Sequence, residues 1–356
     1  EHTTFRIVDA GETITTTRYA ITILNEKGDG YASLVEYYSK LRQVKSIEGR
    51  LYDAEGKLLK TLKSKEVLDL SAVDDNNLID DNRRKFHQFH YKTYPYTVEY
   101  EVETKSNNTM FFPAWIPQEG QYLSVEQSSF TVVCPEAYEL RFRAYNHNAA
   151  PVMGNDKNSK TYSWETRNLP ALTRPFASPA WHELTTVVYF GPTKFEIEGY
   201  KGNMSSWSEI GKFQYALNAR RDDLPDAVTK KVKELTAGVT DPAEKVRILY
   251  KYLQQNTRYV SIQLGIGGWR PLEASFVAQK GYGDCKALTN YMFAMLKEAG
   301  IPSNPVLIQS GDDPDYFIED FPSVRFNHVI LCVPMATDTI WLECTSQSAP
   351  AGYLGT

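Results

Sequence analysis

Long apolar runs are missing from this chain of 356 residues. None approaches the roughly 20 residues that a membrane-spanning helix needs, so no such span is expected. Basic blocks are missing too. With 39 Lys and Arg against 44 Asp and Glu, the formal net charge is −5, and no cluster of positive residues favours a nucleic-acid partner. Cysteine is scarce and scattered, at Cys134, Cys285, Cys332 and Cys344, with no CxxC spacing to hold a structural zinc ion. An even number leaves two disulfides formally open. No DxDxDG loop occurs, so no calcium requirement is visible. The HxxH pair His87 and His90, in "RRKFHQFHY", reads as surface, and no metal or other cofactor is assigned. An initiating methionine is also missing. A removed export signal accounts for Glu1-His2-Thr3, as does trimming of the chain.

What is present is ordinary for a globular chain: 42% apolar and 23% charged residues, and length enough for two or three domains. The 23 tyrosines suit β-rich, extracytoplasmic domains. Residues 15–24, 42–53, 96–104, 124–133 and 137–146 alternate as strands, separated by turn chemistry such as "EKGDG" and "KSNNT". In "YTVEYEVET", Val98, Tyr100 and Val102 share a face to be buried. Thr97, Glu99, Glu101 and Glu103 share the wet one. Strands at this spacing predict an antiparallel sandwich over residues 1–200, of unassigned function. The polar stretch 71–85 reads as a long exposed loop.

The period changes near residue 205, and residues 201–356 read as a second domain of helices followed by strands. "SSWSEIGKFQYALN" fits a helix with Trp207, Ile210, Gly211 and Tyr215 on one side. A second helix has Asp241 as N-cap, Pro242 at its first position, and a stripe of Val246, Leu249, Tyr250 and Leu253. "QLGIGGWRP" must be irregular. A third helix starts at Asp284 or Cys285, buries Leu288, Tyr291 or Met292, Met295 and Ala299, and ends at Gly300. "HVILCV" and "TIWLECT" close the chain as strands.

Cys285 is the residue to explain. A thiol attacks carbonyl carbon as thiolate, and a helix N-terminus and a neighbouring imidazolium both favour that form. Gly281 and Gly283 permit a tight turn into the helix, whose first N–H groups lack intrahelical partners. Of the six histidines only His328 lies in the same predicted domain, residues 201–356. A hairpin with its loop at Pro334 to Thr337 sets Val329 opposite Leu342, Leu331 opposite Ile340, Ile330 opposite Trp341 and His328 opposite Glu343. The first two pairs form a core face, and the last brings a carboxylate to the imidazole. Cys285 is then nucleophile, His328 base and acid, and Glu343 the group that orients His328. The same register puts Cys332 and Cys344 on opposite faces and predicts no disulfide between them. Gln279, Gln263 and Trp269 are candidates for a second oxyanion donor or, for Trp269, a cleft wall.

"GYGDCKAL", "FNHVIL" and "TIWLECT", in that order, resemble the Cys–His–Asp core of the transglutaminase-like superfamily, related in architecture to papain-type proteases. "TRYVSIQLGIGGWRP" strengthens the resemblance, which covers roughly residues 205–350. The stretch before it, with "YSWETRNLPAL", resembles an uncharacterised domain that precedes such cores in exported Bacteroidetes proteins. The likeness implies an α+β fold, a helix packed on an antiparallel sheet, a thioester acyl-enzyme, and a periplasmic or cell-envelope location. It also implies a further β domain beyond residue 356. Two departures from the pattern are Glu343 in place of Asp and the early end of the chain. The expected activity is cleavage or transfer at an amide bond of a protein or peptide substrate, with hydrolysis preferred. The rival is a cell-envelope binding or assembly protein with a degenerate triad, its N-terminal domain engaging a glycan or a protein.

Overall fold

The computed structural model describes residues 1–72, 77–156, 158–311 and 317–354. The chain divides into two compact units. One comprises residues 1–73, 81–210 and 318–324, and the other 74–80, 211–317 and 325–356.

The first unit is built on an eight-stranded sheet. Its spatial order is Val152–Asp156, Ser159–Leu169, Val125–Pro135, His2–Ile7, Thr13–Ile23, Tyr96–Ser106, Arg42–Tyr52 and Leu58–Thr61. One pair, His2–Ile7 with Val125–Pro135, is parallel, so the sheet is mixed rather than wholly antiparallel. Register aligns Phe130, Val132, Phe5, Thr3, Thr17, Val102, Tyr100 and Val98 on one face. Two smaller sheets cover that face. Val188 and Phe190 of Val187–Pro192 share a cluster with Phe5, Phe130 and Trp164. Leu34 of Ser33–Tyr38 joins Val98, Tyr100 and Phe89 in another. The sandwich arises because alternation leaves each long strand one apolar side to cover.

Three expectations are corrected in this region. The face assigned to water carries Glu99, which is buried beneath Arg18, Arg50 and Tyr52. Tyr52 Oη donates to Glu99 Oε2 at 2.9 Å. Within 71–85, Asn77–Asp80 and the start of Arg83–Gln88 are strands rather than loop, and 73–76 lie outside the described residues. Asn77–Asp80 belongs to the second unit, where it pairs in parallel with Ser261–Gln263, and backbone pairing of this kind is indifferent to a polar sequence. His87 is not on the surface. It is buried, with Nδ1 2.7 Å from Tyr100 Oη, whereas His90 is exposed.

Burial holds His87 below the ordinary histidine value. The unfolded chain therefore binds the proton first as pH falls below about 6.5, and folding stability must fall with it, by up to about 1.4 kcal/mol per pH unit until the folded imidazole titrates. Urea melts between pH 7 and 5 should show this slope, and His87→Gln should reduce it. His147, also lowered by burial, adds the same sign. An unchanged slope in His87→Gln would disprove the assignment.

The second unit holds helices Trp207–Asn218 (from Gly211 onward), Asp226–Thr236, Pro242–Asn256, Ala274–Lys280 and Cys285–Glu298, with a three-stranded sheet ordered Asn304–Ile308, His328–Pro334, Thr339–Leu342. The helix at 242–256 follows its sequence: Asp241 caps Ala243 N at 3.1 Å, and Val246, Leu249, Tyr250 and Leu253 are buried. The helix at 207–218 turns a different side inward. Ile210, Phe213 and Leu217 are buried, whereas Gly211 and Tyr215 are exposed. Phe213 and Leu217 are larger apolar groups than Gly211, and they win the inward positions. Asp226–Thr236, with Val228, Val232 and Leu235 at helical spacing, and the short Ala274–Lys280 are two further helices of this unit. Gly265–Gly268 makes a single 3-10 turn within the irregular segment. No helix among the described residues is long and apolar enough to cross a membrane.

Candidate active site

The turn into the cysteine helix is set by glycine for two separate reasons. Gly281 ends the preceding helix in the left-handed region, φ 69°, where a side chain is strained. Gly283 stands where an added Cβ would meet the Ala287 Cβ at 2.8 Å, so only glycine lets the chain approach the first helical turn. Two backbone bonds pin this turn. Arg258 N donates to Gly281 O at 3.0 Å, and Val260 N donates to Gly283 O at 2.9 Å. Asp284 then caps the helix, its Oδ1 accepting from Ala287 N at 2.9 Å. Cys285 is the first helical residue, 5% exposed, where its N–H has no intrahelical acceptor.

Lys286 is a residue that nothing in the sequence pattern singles out. Its Nζ lies 2.7 Å from Asp284 Oδ2, with side-chain exposures of only 6% and 2%. A buried ion pair therefore flanks Cys285 on both sides in the chain.

His328 opens the strand His328–Pro334, and its Nε2 lies 2.7 Å from Glu343 Oε2. The hairpin register differs from expectation by two residues: Leu331 faces Leu342, Cys332 faces Trp341 and Val333 faces Ile340. The turn is closed by Met335 N donating to Asp338 O at 2.8 Å. A slip of two preserves the faces, which is why the expected core side is the observed one. It makes His328 and Glu343 diagonal neighbours rather than opposite ones, and the longer glutamate side chain spans that diagonal. The carboxylate is held from its other end. Thr345 N donates to Glu343 Oε1 at 3.0 Å and Thr345 Oγ1 at 2.5 Å, while Tyr250 Oη donates to the Glu343 carbonyl at 2.7 Å.

Burial works against an imidazolium at His328. Hydrogen bonding with Cys285 and Glu343, and the Glu343 charge, outweigh it and push His328 up to about 9. Glu343 is opposed by burial too, yet the bonds from His328 and Thr345 hold it below the usual glutamate value. Cys344 is buried, and burial pushes its thiol far up, which makes it inert. All four cysteines are free thiols.

Cys285, His328 and Glu343 thus come together. Gln279 does not join them, because it lies on the exposed side of Ala274–Lys280. Gln263 Nε2 turns to Ser261 Oγ at 3.4 Å, and the Trp269 carbonyl accepts from Gln214 Nε2 at 3.0 Å. No group of three potential metal ligands gathers among the described residues. A buried thiol at a helix N-terminus, beside a histidine held in its protonated form, has the makings of an acyl-accepting nucleophile.

Two stretches of the chain match known family models. Residues 229–344 match the transglutaminase-like superfamily, and residues 9–173 match DUF3857, a domain of unknown function. A Parabacteroides distasonis protein provisionally named a protease superposes with a TM-score of 0.71 at 15% identity over 98% of this chain. The chain spans 66% of that protein's length, and the likeness shows the fold alone. A Cytophaga hutchinsonii protein provisionally named a cysteine protease covers 95% of this chain and is covered over 77% of its own, at 8% identity and a TM-score of 0.28. The periplasmic domain of TgpA from Pseudomonas aeruginosa gives 13% identity, coverages of 87% and 89%, and a TM-score of 0.27. Superpositions as loose as these last two carry no argument. No functionally curated protein matches the chain.

Proposed function

The chain carries a transglutaminase-like domain at residues 229–344 behind a DUF3857 domain, and from that premise we propose an exported cysteine enzyme acting on an amide bond. The observation that carries the proposal is the His328–Glu343 contact of 2.7 Å beside a thiol at a helix N-terminus. Cys285 attacks the carbonyl carbon as thiolate. The carbon–nitrogen bond then breaks, His328 gives its proton to the departing amine, and a thioester remains on Cys285. Glu343 keeps the imidazole oriented through both steps. Water, deprotonated by the now neutral His328, releases the acid; a lysine amine in its place gives a crosslink.

Hydrolysis is the preferred outcome. The location outside the cytoplasm and the protein or peptide substrate rest on the sequence resemblance, and a domain boundary near residue 200 rests on the change there from strand to helix periodicity. The test is incubation with glutamine-containing peptides and a lysine-donor peptide, with products read by mass spectrometry. Acid products that disappear in Cys285→Ala are expected. Amine incorporation exceeding hydrolysis would make the protein a transferase, and no Cys285-dependent product would favour the scaffold reading.

A further inference from the structure

We propose that Phe321 is a positioning residue for His328, seated in the first unit and acting through the short stretch of chain that leads into the catalytic strand; this rests on the role given to His328 above. Residues 318–324 lie in sequence between two strands of the catalytic sheet, Asn304–Ile308 and His328–Pro334. Yet they belong to the first unit. There they pack on the pair of strands Leu140–Tyr145 and Val187–Pro192, in which Arg141 stands opposite Gly191. Ile318 and Phe321 are buried in a cluster with Val187 and Tyr189.

The seat fits the ring closely. The Arg141 guanidinium carbon lies 4.8 Å from the centre of the Phe321 ring. A Cβ added at Gly191 would already touch that ring at 3.4 Å, so a longer side chain there would compete for the same space. The backbone of the segment is bound as well. Arg141 Nη2 donates to Pro322 O at 3.0 Å, and Trp207 Nε1 donates to Glu319 O at 2.7 Å. Phe321 N closes a turn on Ile318 O at 3.1 Å. Arg143 pairs with Asp320 at 2.9 Å, an exposed contact that adds little.

His328 needs such support because of where it stands in its own sheet. It faces Ile308 in the last rung of that pairing, and the third strand stops short of it, pairing only from Leu331 to Pro334. A strand end with one neighbour opens readily. Asn327 steadies the next position, its Nδ2 donating to Ser310 O at 2.9 Å and its Oδ1 accepting from Ser310 N at 2.7 Å. Without the seat, residues 309–327 form one connection between Ile308 and His328. With it, only residues 325–327 separate a bound segment from the imidazole. Shortening a connector lowers the entropy that fraying can gain. The chain also passes between the units after residues 73, 80, 210, 317 and 324, so the first unit is no bead on a single linker. Catalysis is sensitive to the outcome, since a misplacement of about 1 Å can cost about a hundredfold in rate.

The test is the rate of Cys285 alkylation by iodoacetamide against pH in the full chain, which reports the proton on His328. That group is pushed up to about 9, and Cys285 and Glu343 are the titratable groups that push it. In Phe321→Ala the change in rate near pH 9 should move towards about 6.5, and the rate at pH 7 should fall roughly threefold to tenfold. Phe321→Leu, which keeps an apolar group in the seat, should restore most of both. Arg141→Gln, which keeps the ring but gives up the bond to Pro322, should move both the same way and serves where Phe321→Ala does not fold. Val98→Ala, in the separate cluster with Leu34 and Phe89, should lower the melting temperature and move neither. A wild-type pH profile in the folded Phe321 and Arg141 variants would overturn the inference. An equal shift in Val98→Ala would overturn it too, by making the effect one of general stability. A wild-type profile that His328→Ala leaves unaltered would instead overturn the role of His328, and with it the amide reading.

Discussion

Iodoacetamide should alkylate Cys285 rapidly already at about pH 6, and His328→Ala should slow that reaction roughly tenfold or more. The reasoning starts from an isolated thiol. With a pKa near 8.5, only about 0.3% of it is thiolate at pH 6. An imidazolium in hydrogen-bond reach can hold a thiolate as an ion pair. His328 is pushed up to about 9 by Cys285 and Glu343, so it stays protonated across the neutral range. The wild-type rate should therefore change as His328 loses its proton near pH 9, and His328→Ala should abolish that change. The same shift has a sign for stability. The folded state binds the proton more tightly than the unfolded chain, so this contribution is complete below about 6.5 and is lost as pH rises through about 9. That window does not overlap the acid-side loss expected from His87. Peptide mass mapping locates the label. Rates that climb together through the free-thiol range in both proteins would reduce Cys285 to the residue that starts a helix.

Lys286→Met should destabilise the protein by about 3–5 kcal/mol while leaving the alkylation of folded Cys285 close to wild type. The pair Lys286–Asp284 is almost wholly enclosed, at 2.7 Å and with exposures of 6% and 2%. Removing the ammonium strands the Asp284 carboxylate where water cannot reach it. The cost belongs mainly to that stranded charge, not to the lost attraction. Asp284→Asn restores neutrality and still caps the helix, since an asparagine oxygen accepts from Ala287 N as an aspartate oxygen does. The double variant Asp284→Asn/Lys286→Met should therefore recover most of the loss, a non-additivity that denaturant melts would measure. A loss below about 1 kcal/mol in Lys286→Met would mean the carboxylate is solvated after all.

The glutamate at position 343 shows how a sequence departure can be resolved by geometry. An aspartate suits a directly opposite histidine. Here the strands slip by two residues, the partners become diagonal, and one more methylene is what the contact requires. Thr345, two residues on, then holds the second carboxylate oxygen. This observation weakens the view that the substitution signals a degenerate site.

Much of this protein was already determined by its order of residues. Alternation marks Val98, Tyr100 and Val102 as one buried face, because a strand's side chains point to opposite sides in turn. Asp241, Pro242 and the stripe to Leu253 define a helix, because caps and a 3.6-residue period act locally. The Gly-Asp-Cys turn is legible for the same reason, and the order of Cys285, His328 and Glu343 along the chain makes them candidates for one site. Other features were decided only when distant segments met. The inward face of the helix at 207–218, the parallel pairing of Asn77–Asp80 with Ser261–Gln263, the burial of Lys286 and the hairpin slip depend on what packs against each segment.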